Sequence, residues 1–176
     1  MRRACALILA VASTTLACGG GSARSPEAIV IVSIDTLRAD HLPVYGYAAG
    51  ATPAIDGLRR EAILFSDATT TCPLTLPAHA TLFTGAIPPR HGVRDNAGYA
   101  LAASAGPTLA QRLAARGYAT AGFVSAGVLA SSTGIARGFD VWDDAMPERE
   151  DRAASSEVQR RGEDTIARAL EWVDRR

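Results

Sequence analysis

The sequence contains no lysine: all 18 basic residues are arginines, set against 18 acids for a net charge of zero. The missing lysine, together with abundant alanine, fits GC-rich coding. The even charge balance gives no electrostatic case for a nucleic-acid partner. Cysteine is scarce, with three in 176 residues. Cys5 falls in a leader segment and Cys18 at its end, so Cys72 is left without a partner and no disulfide framework is expected. No Cys/His spacing suggests a structural zinc site. Glycine (16) and proline (9) are too few for a collagen-like or low-complexity chain. No repeat of 20–50 residues is present, which excludes a solenoid. Hydrophobic residues at 48% and charged residues at 20% describe one globular domain behind a leader.

No apolar run is long enough to span a bilayer. Ala4 to Ala17 is uncharged, but fourteen residues at ~1.5 Å per residue reach ~21 Å, short of a ~30 Å hydrocarbon core. Behind Met1-Arg2-Arg3, this run reads as a signal peptide over residues 1–18. Thr15-Leu16-Ala17-Cys18 resembles a bacterial lipobox, with Cys18 as the lipidated residue. Plain cleavage near Ala17 is the alternative. Residues 19–27, rich in Gly and Ser, read as a flexible tether. The expected location is the periplasm or cell envelope, with a membrane anchor through the lipid.

Ala28 to Ile34 is a near-continuous β-branched run ending in Asp35, the pattern of a strand buried on both faces of a parallel sheet. Thr52-Pro53 opens a helix with Ile55, Leu58 and Ala62 on its apolar face, and Ile63-Leu64-Phe65 starts a short strand. Further helices are expected from Leu76 to Phe83, closed by Gly85, and from Pro107 to Arg116, closed by Gly117. A strand follows over Tyr118 to Ser125. A last helix runs from Ser155 to Arg175, with Val158, Ile166, Leu170 and Val173 on one face. This order predicts an α/β fold, a mostly parallel sheet flanked by helices. Another strand is expected after the last helix, so the chain reads as a truncated domain.

Ligands of open α/β sheets sit at the carboxyl ends of strands, which places Asp35 where a functional carboxylate belongs. A turn or capping role is the other reading. Thr75, before Leu76-Pro77, reads as a helix N-cap. At that position free N–H groups also favour a phosphate or sulfate. His79 lies four residues on, on the same helical face. His41 and His91 complete the three histidines of the chain.

Taken together, several segments resemble the sulfatase-like hydrolases of the alkaline phosphatase superfamily. Ile31-Val32-Ser33-Ile34-Asp35-Thr36-Leu37-Arg38-Ala39-Asp40 followed by Tyr45-Gly46 resembles their opening, and Thr52-Pro53-Ala54-Ile55-Asp56-Gly57-Leu58 their T-P-x-x-D-x-L element. Thr75-Leu76-Pro77-Ala78-His79 through Leu82-Phe83-Thr84-Gly85 resembles the nucleophile segment C/S-x-P-x-R-x-x-L-x-T-G. Pro89-Arg90-His91-Gly92-Val93 resembles the element that follows it. The likeness runs over residues 28–144, and residues 28–176 are expected to form the N-terminal part of a sulfatase-like domain.

The resemblance implies a hydrolase of sulfate or phosphate esters of small molecules or glycans, with a divalent metal (Ca²⁺ or Zn²⁺) as cofactor. It places Asp35 on the first metal ligand and Thr75 on the nucleophile. His79 falls on the arginine that supports formylglycine in true sulfatases, and His91 and Asn96 fall in the substrate-binding loop. Thr36 stands where a second metal-binding Asp is frequent. The family's later ligands belong to a C-terminal half. Threonine cannot become formylglycine by the oxidation that converts Cys or Ser, so formylglycine is not expected at Thr75. A threonine nucleophile resembles the phosphodiesterase and nucleotide pyrophosphatase branch, which implies a preference for phosphate. Asp140, Asp143 and Asp144 read as a solvated turn. An exported anion-binding or interaction lipoprotein without turnover is the competing reading.

Overall fold

The computed structural model describes residues 26–147 and 158–176. Cys18, the signal peptide, most of the tether and the expected start of the last helix at Ser155 lie outside the described residues. Asp35–Arg176 forms one compact unit, and residues 26–34 belong to another. Residues 26–34 carry no strand, and Val30 and Val32 are 81% and 69% exposed. The β-branched run therefore does not form the expected element: a doubly buried strand needs ladder partners and cover on both faces, and none is recorded for it among the described residues.

The unit from Asp35 begins with two short 3-10 turns and helix α1 (Pro53–Arg59). Thr52 is its N-cap residue and Pro53 its first helical residue, as the Thr-Pro pair predicts. Ile55 is half-buried, but Leu58 points to solvent and Ala62 lies beyond the helix. Ile63-Leu64-Phe65 forms no strand. The Tyr45 hydroxyl donates to the Phe65 carbonyl at 2.8 Å, which ties this segment back to the second 3-10 turn.

Helix α2 (Thr75–Thr84) is the centre of the fold. Leu76 and Ala80, a turn apart, are fully buried, and Phe83 continues their face. Gly85 ends the helix with φ +69°, a conformation glycine adopts without a Cβ penalty. The core collects Leu76, Ala80, Val93, Leu101, Val128 and Ile135 under this helix. Phe83 meets Phe139 and Trp142 edge to face. Helix α3 (Pro88–His91) is one turn long. Helix α4 (Leu109–Ala114) starts two residues later than its sequence suggests, because Thr108 and Gln111 form a reciprocal capping box.

Strand β1 (Ala121–Phe123) pairs in parallel with β2 (Val141–Asp143) in the register Ala121↔Val141, Gly122↔Trp142 and Phe123↔Asp143. A Cβ on Gly122 would stand 2.4 Å from the Trp142 ring, so the strand crosses the indole because it carries glycine there. The aspartate-rich segment of Asp140, Asp143 and Asp144 is thus a strand and its flank, not a solvated turn. Asp143 takes ion pairs from Arg160 and Arg168, the Asp140 carboxylate accepts the Thr120 N–H, and Asp144 accepts the Ser131 N–H.

Helix α5 (Gly162–Asp174) lies against β1, where Phe123 and Trp172 meet edge to face. Val158 precedes this helix. Ile166, Leu170 and Val173 do share a helical face, but it is the outer one, and each is more than half exposed. Thr165 is the buried residue of α5, bonded to the Ser125 hydroxyl at 2.6 Å. No helix among the described residues is long and apolar enough to cross a membrane. Helices around a parallel ladder make this a partial α/β fold.

Candidate active site

Thr75 is the first residue of α2, not its cap. Leu74 occupies the capping position with extended backbone, and no side chain caps the helix there. The Thr75 hydroxyl is thereby released from the helix end. It donates to the Asp35 carboxylate at 3.1 Å (Oδ2) and 3.4 Å (Oδ1), across 40 residues of sequence. Asp35 Oδ1 also accepts the N–H of Thr36 at 3.0 Å. Thr36 has φ +55°, the left-handed region that a β-branched side chain rarely enters. Such strain costs on the order of 1–3 kcal/mol and collects at functional sites. Here it turns the chain sharply just after the carboxylate.

The N-terminus of α2 offers fewer donors than an ordinary helix. Pro77 has no N–H. The Leu76 N–H is taken by Asn96 Oδ1 at 2.9 Å, and the Ala78 N–H already bonds the Leu74 carbonyl at 3.0 Å. Among the described residues the Thr75 N–H is the one amide of this turn with no acceptor in the protein, and it sits at the positive end of the helix dipole.

His79 stands one turn below Thr75, and its Nδ1 donates to the Thr75 carbonyl at 2.8 Å. That bond fixes the proton of the neutral ring on Nδ1 and leaves Nε2 as the second nitrogen. The Phe83 ring meets the imidazole edge on. Asp35, Thr75, His79 and Asn96 are therefore gathered around the first turn of α2.

His91 is placed differently. It is 3% exposed, and both ring nitrogens are used by protein atoms. Nδ1 accepts the Val93 N–H at 3.1 Å, and Nε2 meets Thr81 Oγ1 at 3.1 Å. Burial pushes its imidazole pKa below the usual 6.5. Thr81 also bonds the Pro77 carbonyl and the Thr71 hydroxyl. Sequence reasoning missed Thr71 and Thr81. The sole cue was the four-residue step from Pro77 to Thr81 along one helix face. His41 stands apart, against the Tyr47 ring.

As cation ligands, the Asp35 carboxylate and the Thr75 hydroxyl are hard oxygen donors suited to Ca²⁺ or Mg²⁺. They supply part of such a site. Among the described residues no three His, Cys, Asp or Glu side chains come together as a metal-binding group. Cys72 is half-buried and free.

The head of α2 thus holds a hydroxyl on a carboxylate inside a T-x-P-x-H segment. The Sulfatase family model matches residues 27–173, and the chain belongs to that family. It is 33% identical over 132 residues to the steryl-sulfatase of Mus musculus, covering 65% of this chain and 21% of that protein. It is 36% identical over 111 residues to arylsulfatase A of Homo sapiens, covering 60% and 21%. A solved structure of a 2-O GAG sulfatase superposes with a TM-score of 0.55 at 26% identity, over 69% of this chain and 27% of that one. The chain spans about a fifth of the length of the curated relatives it matches.

Proposed function

We propose that the native protein hydrolyses sulfate or phosphate esters of small molecules or glycans, with Thr75 as the nucleophile. The observation that carries this reading is the Thr75 hydroxyl on the Asp35 carboxylate at the head of α2. The carboxylate orients the hydroxyl and is the nearest acceptor for its proton. The Thr75 N–H and the helix dipole attract the ester anion, and Asn96 fixes the helix end beside it. Thr75 Oγ1 forms a bond to the phosphorus or sulfur while the ester oxygen leaves. Water then breaks the new ester and frees Thr75.

A divalent cation, when bound, supplies charge neutralisation of the ester anion. The Asp35 carboxylate, with the Thr75 hydroxyl beside it, would hold it. His79 stands where the family resemblance has an arginine, and its Nδ1 bond to the Thr75 carbonyl ties it to the backbone of the proposed nucleophile.

Phosphate is the preferred ester in this reading. A formylglycine hydrate can expel sulfate by returning to the aldehyde, whereas a threonine ester must be opened by water. The test is turnover of matched aryl phosphate and aryl sulfate by the native protein. Thr75→Ala should lower kcat at least ~10²-fold, about 3 kcal/mol. Unchanged turnover would remove Thr75 as nucleophile, and faster turnover of the sulfate would remove the phosphate preference.

Export with a lipid on Cys18 belongs to the same proposal, supported by the basic start and the Leu16-Ala17-Cys18 sequence. Labelled palmitate should be incorporated by the wild type and lost in Cys18→Ser. Equal labelling of both would sink the anchor.

A further inference from the structure

We propose that His91 is a positioning residue that holds the nucleophile in place through Thr81, by clamping the chain on both sides of Thr75. The inference rests on the reading of Thr75 as nucleophile. An amide N–H can only donate, so the bond from Val93 makes His91 Nδ1 an acceptor. The neutral ring then carries its proton on Nε2 and donates it to Thr81 Oγ1.

A threonine hydroxyl has one hydrogen and two lone pairs. Thr81 gives its hydrogen to the Pro77 carbonyl at 3.1 Å. One lone pair takes the His91 proton, and the other takes the Thr71 hydroxyl at 3.0 Å. Every valence of the hydroxyl is used, and each partner has a fixed direction.

Thr71 lies four residues before Thr75 and Pro77 two residues after it. The chain is thus fastened to one oriented hydroxyl as it enters and as it leaves the nucleophile. The first turn of α2 needs such help. Pro77 lacks an N–H, and the amide of Leu76 is spent on Asn96, so the intrahelical ladder there begins with Ala78 N–H to Leu74. His91 cannot slide away, because the ring is buried and α3 sits against α2. Burial also favours the neutral ring that this arrangement requires.

The amide side chains of glutamine and asparagine separate the two nitrogens. Glutamine can present an N–H near the place of Nε2, whereas asparagine reaches only the place of Nδ1, where its carbonyl can accept the Val93 N–H. In the native protein, His91→Gln should keep kcat within about threefold of wild type, whereas His91→Asn should lower it at least ~10-fold with KM nearly unchanged. Hydrogen exchange of the Ala78 amide should quicken in His91→Asn and in Thr81→Val, but not in His91→Gln or Thr81→Ser. His91→Asn should add little to Thr81→Val, which already removes the hydroxyl through which His91 acts. Equal losses in the Gln and Asn variants, or a loss confined to KM, would overturn the clamp. Should Thr75→Ala leave turnover intact, the functional reading falls, and the Ala78 exchange contrast still decides the clamp by itself.

Discussion

The stretch from Asp35 to Leu74 and the stretch that begins at Thr75 treat apolar side chains in opposite ways. In the first, Leu58, Ile63 and Phe65 are 69%, 85% and 68% exposed, and Leu42 is the one apolar residue counted as buried among the described residues. Its backbone is held by 3-10 turns, one short helix and single bonds such as Tyr45 to Phe65. In the second, Leu76, Val93 and Ile135 are completely buried in one core. The candidate site joins the two, with Asp35 from the open stretch and Thr75 from the packed one. A rigid helix sets the position of the hydroxyl, while a strained turn sets the position of the carboxylate. Rigid elements place reacting atoms more precisely than loops do. In the proposed reading the nucleophile is therefore the better-supported partner of the pair.

The largest test of this contrast is a pair of identical truncations. Leu76→Ala empties a fully buried position under α2 and should cost about 2–5 kcal/mol in urea denaturation. Leu58→Ala removes an exposed side chain and should change stability by no more than about 0.5 kcal/mol. Equal costs would mean that the open stretch is as well packed as the core, and the comparison would fail.

An intermediate effect belongs to the sheet. Gly122→Ala would drive a methyl into the Trp142 ring, which is held by Phe83, Phe139 and a bond from its Nε1 to the Leu129 carbonyl. Overpacking of this kind costs about 1–3 kcal/mol. The near-UV circular dichroism of the tryptophan should change along with the melting midpoint. A midpoint equal to that of wild type would show that the indole can yield.

The same division governs what could be read from the sequence. Helix α2 was legible nearly to its ends, because Pro77 can stand only in a first turn and Gly85 supplies the left-handed stop. The last helix was legible in its periodicity but not in its orientation. Its apolar stripe Ile166, Leu170 and Val173 faces out, while Thr165 and Trp172 face the sheet. Strand β2 was hidden, since Asp140, Asp143 and Asp144 suppress any strand pattern. The partners of its Asp143, Arg160 and Arg168, are distant in sequence and leave no local signal. The strand expected at Ala28 to Ile34 failed for the converse reason: its composition describes a residue environment, and an environment needs neighbours. At the site, the four-residue spacing placed His79 beside Thr75, whereas Asp35 and Asn96 were brought to them only through the family resemblance. The bond between Asp35 and Thr75 is a tertiary fact, as is the shared hydroxyl of Thr81.

The smallest expected effect is a slope with pH, and it separates the two stretches by charge instead of packing. Burial raises the Asp143 carboxyl, but the hydrogen bonds from Arg160 and Arg168 outweigh it and hold its pKa below the usual 3.8. The Asp144 carboxyl is also lowered, chiefly by the Ser131 backbone N–H. In the unfolded chain both groups bind a proton at higher pH than in the folded one. Their contribution is therefore complete above the unfolded value of about 3.9 and disappears as pH falls through the folded value. Arg160 is 6% exposed and also donates to the Val124 and Ala145 carbonyls, so protonating Asp143 leaves a buried guanidinium without its counter-charge. Urea melts taken between pH 5 and pH 3 should show stability falling with acid in the wild type. The slope should be shallower in Asp143→Asn, whose side chain cannot titrate. Identical slopes would mean that the acid response arises elsewhere, and the Arg160–Asp143 pair would then hold the sheet without sensing pH.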